Sequence, residues 1–214
     1  MSIAGQQSMI RVGLTGGIAA GKSTVARRWQ EAGAALVDSD ALAHQTLAPD
    51  TPTWADVVRV FGRDVLNPDR TINRRRLGEI VFPDESKRQQ LNQIIHPAVR
   101  QMWTAELARL ARAGQTEIAV VCIPLLFEVA AEKEFDCVVA VGCSEPTQLA
   151  RLAAKGFDET QARARIRAQL PVQTKLDRAD FVIWNDGAWP VLYRQADIIW
   201  QTIKETHHAP TQKA

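Results

Sequence analysis

Five short, mainly apolar runs punctuate the chain, at 10–14, 35–37, 117–123, 137–141 and 181–184. They lack regular polar alternation, so each predicts a strand buried on both faces. The stretches between them have helical spacing. Residues 22–31 predict a helix that Gly33 stops, and the second strand ends at Asp38. Residues 56–61, 75–82 and 85–95 predict short helices broken by Gly62, Pro68 and Pro83. Pro97 is placed as the first residue of a further helix, where Val99, Trp103, Leu107 and Leu110 form a buried stripe before Gly114 ends it. Residues 145–155 and 159–168 predict two helices around Gly156. A last amphipathic helix, 189–206, puts Leu192, Ala196, Ile199 and Ile203 on one face. Buried strands separated by helices mean an α/β fold with a parallel sheet. The helical stretch between the second and third strands is too long for a simple crossover and predicts a substrate-binding insertion. Residues 151–178 predict a second, smaller excursion.

Composition narrows the partners. At 214 residues the chain reads as one core with insertions. Its 26 Lys plus Arg nearly cancel 24 Asp plus Glu, which argues against holding nucleic acid by bulk charge. The near-cancellation hides an asymmetry. Residues 63–112 carry 10 basic against 6 acidic groups and 144–178 carry 7 against 4, whereas 115–143 carry 1 against 5. Both excursions are therefore basic, as segments closing over polyphosphate would be. The longest apolar stretch is too short for a membrane span, and the start, MSIAGQQSM, lacks the regions of a secretory signal. Cys122, Cys137 and Cys143 form no CxxC pair and predict buried, reduced thiols in a cytoplasmic protein. Residues 1–8 and 207–214 are expected to be loose tails. The helices are explained by one core, so a monomer is expected.

The strongest chemical signal is Gly16-Gly17-Ile18-Ala19-Ala20-Gly21-Lys22-Ser23, a GxxxxGK[ST] loop between a strand and a helix. Glycines let backbone N–H groups turn inward around phosphate oxygens, and the helix N-terminus adds partial positive charge. Lys22 is placed to reach the β- and γ-phosphates of ATP and the Ser23 hydroxyl to ligate Mg²⁺. Asp38 and Asp40 stand at the carboxyl end of the second strand, the ligand-binding end of a parallel sheet. One is suited to accept a proton from an attacking hydroxyl and the other to help hold Mg²⁺ through water; Asp40 is the stronger catalytic candidate, and capping of the next helix competes for Asp38. His96-Pro97 and Pro124–Glu128 are further candidates. Each of Arg74, Arg75 and Arg76 is open to a substrate phosphate or to solvent, and Arg151 and Arg165 are lid candidates. Trp103 and Trp200 are assigned to packing. A regulatory GTPase is disfavoured because no NKxD-type motif is present and Pro124 follows the third strand where a DxxG would stand.

Assembled in order, these motifs resemble the dephospho-CoA kinase family. The resemblance is carried by LTGGIAAGKST (14–24), VDSDALA (37–43), INRRRLGEIVF (72–82), LNQIIHP (91–97), PLLFE (124–128), TQLARLAAKG (147–156) and ADFVIWNDG (179–187). It implies ATP-dependent phosphorylation of the ribose 3′-hydroxyl of dephospho-CoA. The implied architecture is a five-stranded P-loop core at 9–48, 115–143 and 179–206, a helical acceptor-binding insertion at 49–114, and a lid with connecting helices at 144–178. The implied catalytic residues are Asp40, Lys22 and Arg151. ATP would be held by Gly17, Ala19, Ala20, Gly21, Lys22, Ser23, Thr24, Asn185 and Gly187. The acceptor would meet Asp38, Arg75, His96, Leu125 and Glu128. Mg²⁺ would rest on Ser23, with Asp40 as a second ligand. A nucleoside or nucleotide kinase is the alternative within the class, and a nucleic-acid-binding ATPase a more distant one. Three positions depart from the family pattern. Ala19-Ala20 replace Gly-Ser, His44 replaces the arginine of DxDxxAR, and Lys155 replaces a lid arginine. Because alanine disfavours positive φ, the loop is expected to use dihedrals that alanine tolerates.

Overall fold

A computed structural model of the chain describes residues 9–208. The tail expected at 1–8 and most of the one at 207–214 lie outside these residues. The strands are β1 (Ile10–Gly16), β2 (Ala35–Asp38), β3 (Ile118–Cys122), β4 (Cys137–Gly142) and β5 (Phe181–Trp184). They form one sheet in the order β2-β3-β1-β4-β5, all neighbours parallel. β1 is central, with Leu14 level with Cys122 on one side and Val139 on the other. Connections run to one side of β1 for β2 and β3 and cross it to reach β4. Strand order therefore reverses beside β1, where ligands bind in open α/β sheets.

Helices α1 (Lys22–Glu31), α2 (Ser39–Thr46), α3 (Pro52–Phe61), α4 (Arg74–Val81), α5 (Glu85–Ala113), α6 (Glu145–Ala153), α7 (Glu159–Arg167), α8 (Val172–Arg178) and α9 (Trp189–His208) surround the sheet. α1 and α9 cover one face. Val12, Leu14, Val120, Val139 and Ile183 are buried there against Val25, Trp29, Leu192, Ala196 and Ile203. Trp29 stacks on Trp200 and donates its indole N–H to the Ala196 carbonyl at 2.9 Å. On the other face the expected stripe Val99, Trp103, Leu107 and Leu110 packs with Ala119, Val121 and Val138, and Trp103 stacks on Phe135. Both tryptophans assigned to packing therefore do pack. The insertion keeps a small core of its own, in which Val57, Val65, Ile72, Leu77 and Val81 are buried.

Several boundaries differ from the sequence reading. α3 starts at Pro52 rather than 56, because Thr51 caps it by accepting from Trp54 N–H and proline fits the first helical turn. Residues 85–95 and the segment after Pro97 are a single 29-residue helix with Pro97 inside. An interior proline removes one helical hydrogen bond and costs about 3 kcal/mol. Packing outweighs this, since Leu91 and Ile94 are fixed in the insertion core while Val99 and Trp103 are fixed against the sheet. α9 continues to His208, past the expected end at 206.

Candidate active site

β1 delivers the chain to the loop at Gly16. A Cβ there would lie 2.0 Å from the Val141 carbonyl oxygen, so the approach of loop to β4 requires glycine. At Gly21, the N-cap of α1, φ is 107° and a Cβ would meet the Asn185 amide at 2.4 Å. No side chain caps α1. That leaves the start of the helix open to an anion. Ser23 is exposed in that first turn and Thr24 follows, its N–H bonded to Gly21 O. Lys22 folds back into the loop, donating to the carbonyls of Gly16 at 3.1 Å and Gly17 at 2.8 Å. Burial and the charge of Lys175 lower its pKa to about 8, against the pull of Asp40. The loop does not avoid the left-handed region as expected: Ala19 sits at φ 57°. The mould around it is fixed from outside, which holds alanine in a conformation glycine would adopt freely.

That mould comes from α6 and the end of β5. Arg151 donates to the carbonyls of Ala19 at 3.1 Å and Ala20 at 3.4 Å, and with its other Nη to Asn185 O at 2.9 Å. Gln148 donates to Ile18 O at 2.9 Å. Asn185, almost fully buried, donates to Ala20 O at 2.7 Å. Arg151 and Asn185 both reach the loop, as braces of its backbone. Gly187 lies beyond them in the turn before α9, where a Cβ would meet Val191 only at ordinary contact distance. Gln148 was missed by sequence reasoning. Its one signal was its place three residues before Arg151, on the same face of a helix.

Asp38 caps α2, one carboxylate oxygen accepting from the N–H groups of Asp40 and Ala41. This is the capping role that competed for it. Asp40 is thereby turned from the first turn of α2 into a cleft of about 760 Å³ between α2, α5 and the segment after β3. Burial, and next Asp38, raise its carboxyl above the usual range, opposed by Lys22, His44 and Arg74. The same cleft is lined by His96, Pro97, Leu125 and Glu128. Burial lowers the pKa of His96, opposed by Glu128. Of the arginine run, Arg75 is turned to solvent and pairs with Glu79 at 3.1 Å. Arg76 pairs with Asp64 at 3.8 Å. Arg74 is the one whose charge acts on Asp40 and His44. Successive helical residues point about 100° apart, so the three arginines cannot share one direction, and the run alone does not say which turns towards Asp40.

Lys175 was also missed. It is fully buried, 2.7 Å from Pro124 O and 2.8 Å from Glu128 Oε1, and Leu170 N–H donates to the same oxygen at 2.9 Å. In the 144–178 segment, Arg165 lies between two rings, 4.4 Å from the Phe82 centroid and 4.1 Å from that of Phe157. Lys155 lies exposed beyond the end of α6. All three cysteines are buried and unpaired, and burial pushes the Cys122 thiol up to about 12.

The oxygen donors suit a hard cation. Among the described residues no cluster of three or more His, Cys, Asp or Glu is placed to hold a metal. Mg²⁺ needs only one or two protein oxygens beside phosphate and water, and the exposed Ser23 hydroxyl and the Asp40 carboxylate are donors of that kind. No helix among the described residues is long and apolar enough to cross a membrane.

Known proteins share this fold. The family model described as dephospho-CoA kinase matches residues 10–190. A dephospho-CoA kinase of Anaeromyxobacter dehalogenans is 46% identical over 187 residues, covering 87% of this chain and 88% of its own. A crystal structure from Thermus thermophilus superposes with a TM-score of 0.75 at 31% identity, covering 91% of this chain and 98% of its own. A Campylobacter jejuni dephospho-CoA kinase gives a TM-score of 0.66 at 25% identity, with 92% and 98% covered.

Proposed function

The chain belongs to the dephospho-CoA kinase family, and from that premise we propose how its residues divide the work. The reaction is transfer of the γ-phosphoryl group of ATP to the 3′-hydroxyl of the ribose of dephospho-CoA, giving coenzyme A. The observation that carries the assignment of roles is the position of Asp40. Its carboxylate opens to the acceptor-sized cleft and is electrostatically coupled to Lys22 of the phosphate loop. A base in that place can serve both substrates at once.

The N–H groups at the start of α1, with Lys22, hold the β- and γ-phosphates. Asp40 accepts the proton of the 3′-hydroxyl. The hydroxyl oxygen bonds to the γ-phosphorus as the bond to the β–γ bridging oxygen breaks, and ADP leaves with that electron pair. A carboxyl held above its ordinary pKa is a better base for this step than a solvated aspartate. Ser23 and Asp40 would hold Mg²⁺, which would supply charge neutralisation on the phosphates. Arg151 and Asn185 keep the loop in its phosphate-ready shape and border the adenine side with Gly187. The insertion at 49–114 forms the acceptor site. Residues 144–178 form the lid, whose closure excludes water as a rival acceptor. Asp38 acts by fixing the turn that aims Asp40. Arg74 takes the acceptor-site role that the resemblance gives to Arg75. The enzyme works as a cytoplasmic monomer.

The test is ADP release measured with dephospho-CoA, adenosine, AMP and pantetheine derivatives in turn. The reading expects release that depends on dephospho-CoA and is at least tenfold weaker with the others. Equal or faster release with adenosine or AMP would replace it with a nucleoside or nucleotide kinase.

A further inference from the structure

The three parts assigned to ATP, acceptor and lid meet at one side chain that the mechanism has not used. Lys175, on α8, has no exposed surface, yet it sits directly behind the cleft wall. Its ammonium donates to Pro124 O at 2.7 Å and pairs with Glu128 Oε1 at 2.8 Å. Pro124 O also accepts from the Thr15 hydroxyl at 3.3 Å, which ties the same carbonyl to the last turn of β1 before the phosphate loop. Glu128 Oε1 also accepts from Leu170 N–H, in the link between α7 and α8. Leu125 and Glu128, at the two ends of this clamp, line the cleft beside Asp40 and His96. We propose that Lys175 is a positioning residue for the acceptor: it fixes the Pro124–Glu128 wall of the cleft and locks it to the phosphate loop and to the lid segment. The inference rests on the kinase reading given above.

Two observations favour this over a role in the fold alone. A buried ion pair is weak support for stability, since a well-packed apolar pair of similar size does as well or better. Lys175 therefore sits at a high desolvation cost in a place where methionine would fill the space. Its burial lowers its pKa, opposed by the bond to Glu128. The position also matters to the reaction centre. Thr15, whose hydroxyl shares the Pro124 carbonyl with the Lys175 ammonium, is the residue directly before Gly16, where the phosphate loop begins. Loss of the clamp would free the acceptor wall, whereas the phosphate loop keeps its own braces from Gln148, Arg151 and Asn185. Glu128 accordingly serves as the anchor of this wall, with its Oε1 engaged by Lys175 and Leu170.

The test compares wild type, Lys175→Arg, Lys175→Met and the double variant Lys175→Met/Glu128→Gln, by thermal unfolding and by initial rates with each substrate varied. The double variant removes both charges and keeps the volume, so it is the one expected to fold even where Lys175→Met leaves an unpaired buried carboxylate. The expected result is a double variant that unfolds within a few degrees of wild type, with KM for dephospho-CoA raised tenfold or more and KM for ATP changed less than threefold. Lys175→Arg should recover most of the acceptor KM. Wild-type kinetics in a folded double variant, or KM values for both substrates rising equally, would overturn the proposal while leaving the kinase reading intact. Absence of dephospho-CoA-dependent turnover in wild type would overturn the kinase reading and the proposal with it.

Discussion

Asp40, Lys22 and Ala19 are each held away from their relaxed state, and each deviation makes a measurable demand. Asp40 has a raised pKa because the surrounding protein desolvates its carboxylate and Asp38 stands close. It must be ionised to take the hydroxyl proton, so kcat/KM for the acceptor falls as pH drops through its pKa, above the ordinary aspartate range. Asp40→Asn should remove this acid limb and cut kcat by about 10²–10⁴, with the affinity for ATP, measured by titration, nearly unchanged. Lys22, lowered to about 8, is about half protonated at pH 8 in the free protein. A bound triphosphate selects the charged form, so ATP binding at pH 8 should take up about half a proton, and the uptake should shrink towards pH 7. Calorimetric titration in two buffers of different ionisation enthalpy measures it; no uptake at pH 8 would mean that Lys22 is fully charged without ATP. Ala19, at φ 57°, carries the backbone cost of the left-handed region. Ala19→Gly should raise unfolding stability by about 1 kcal/mol, read as a higher denaturation midpoint.

At the scale of elements, the long helix α5 is the largest departure from the pattern in the sequence. Pro97 reads as a helix start because proline is common there. In the fold it is an interior residue, because the helix is fixed at both ends by different clusters. The strands and the phosphate loop were legible for a different reason: their residues carry the constraint themselves. Gly16 and Gly21 have no room for a Cβ, and β1 is buried on both faces. Gln148 and Lys175 carry no such local mark. Their partners, Ile18 and Glu128, lie 130 and 47 positions away, and nothing in the neighbouring sequence specifies those pairings. The segment proposed as the lid makes a prediction at this scale. Arg165 holds α7 to Phe82, which directly follows α4, and to Phe157. Each such contact is worth about 0.5–1 kcal/mol at an exposed site and more where desolvated. Arg165→Ala should therefore speed amide hydrogen exchange in 159–167 by about tenfold, with exchange in β1 and β3 unchanged.

For the molecule as a whole, the near-zero net charge is a sum of unlike parts. The acidic segment 115–143 includes β3 and β4, whereas the basic groups lie in the two excursions that flank the cleft. Such a distribution favours a small polyanion bound between the parts over a long one lying across the surface. The fold places the phosphate loop, the cleft and Asp40 at the carboxyl ends of neighbouring strands, and this shared end is what makes a direct transfer possible. The central claim is that the phosphoryl group goes from ATP to one particular hydroxyl facing Asp40. Phosphorus NMR of the reaction mixture tests it most directly. The predicted result is one ADP and one ribose 3′-phosphate per dephospho-CoA consumed, with the product identical to coenzyme A. Phosphate at another position, or ADP formed with inorganic phosphate while dephospho-CoA is left unchanged, would contradict the account.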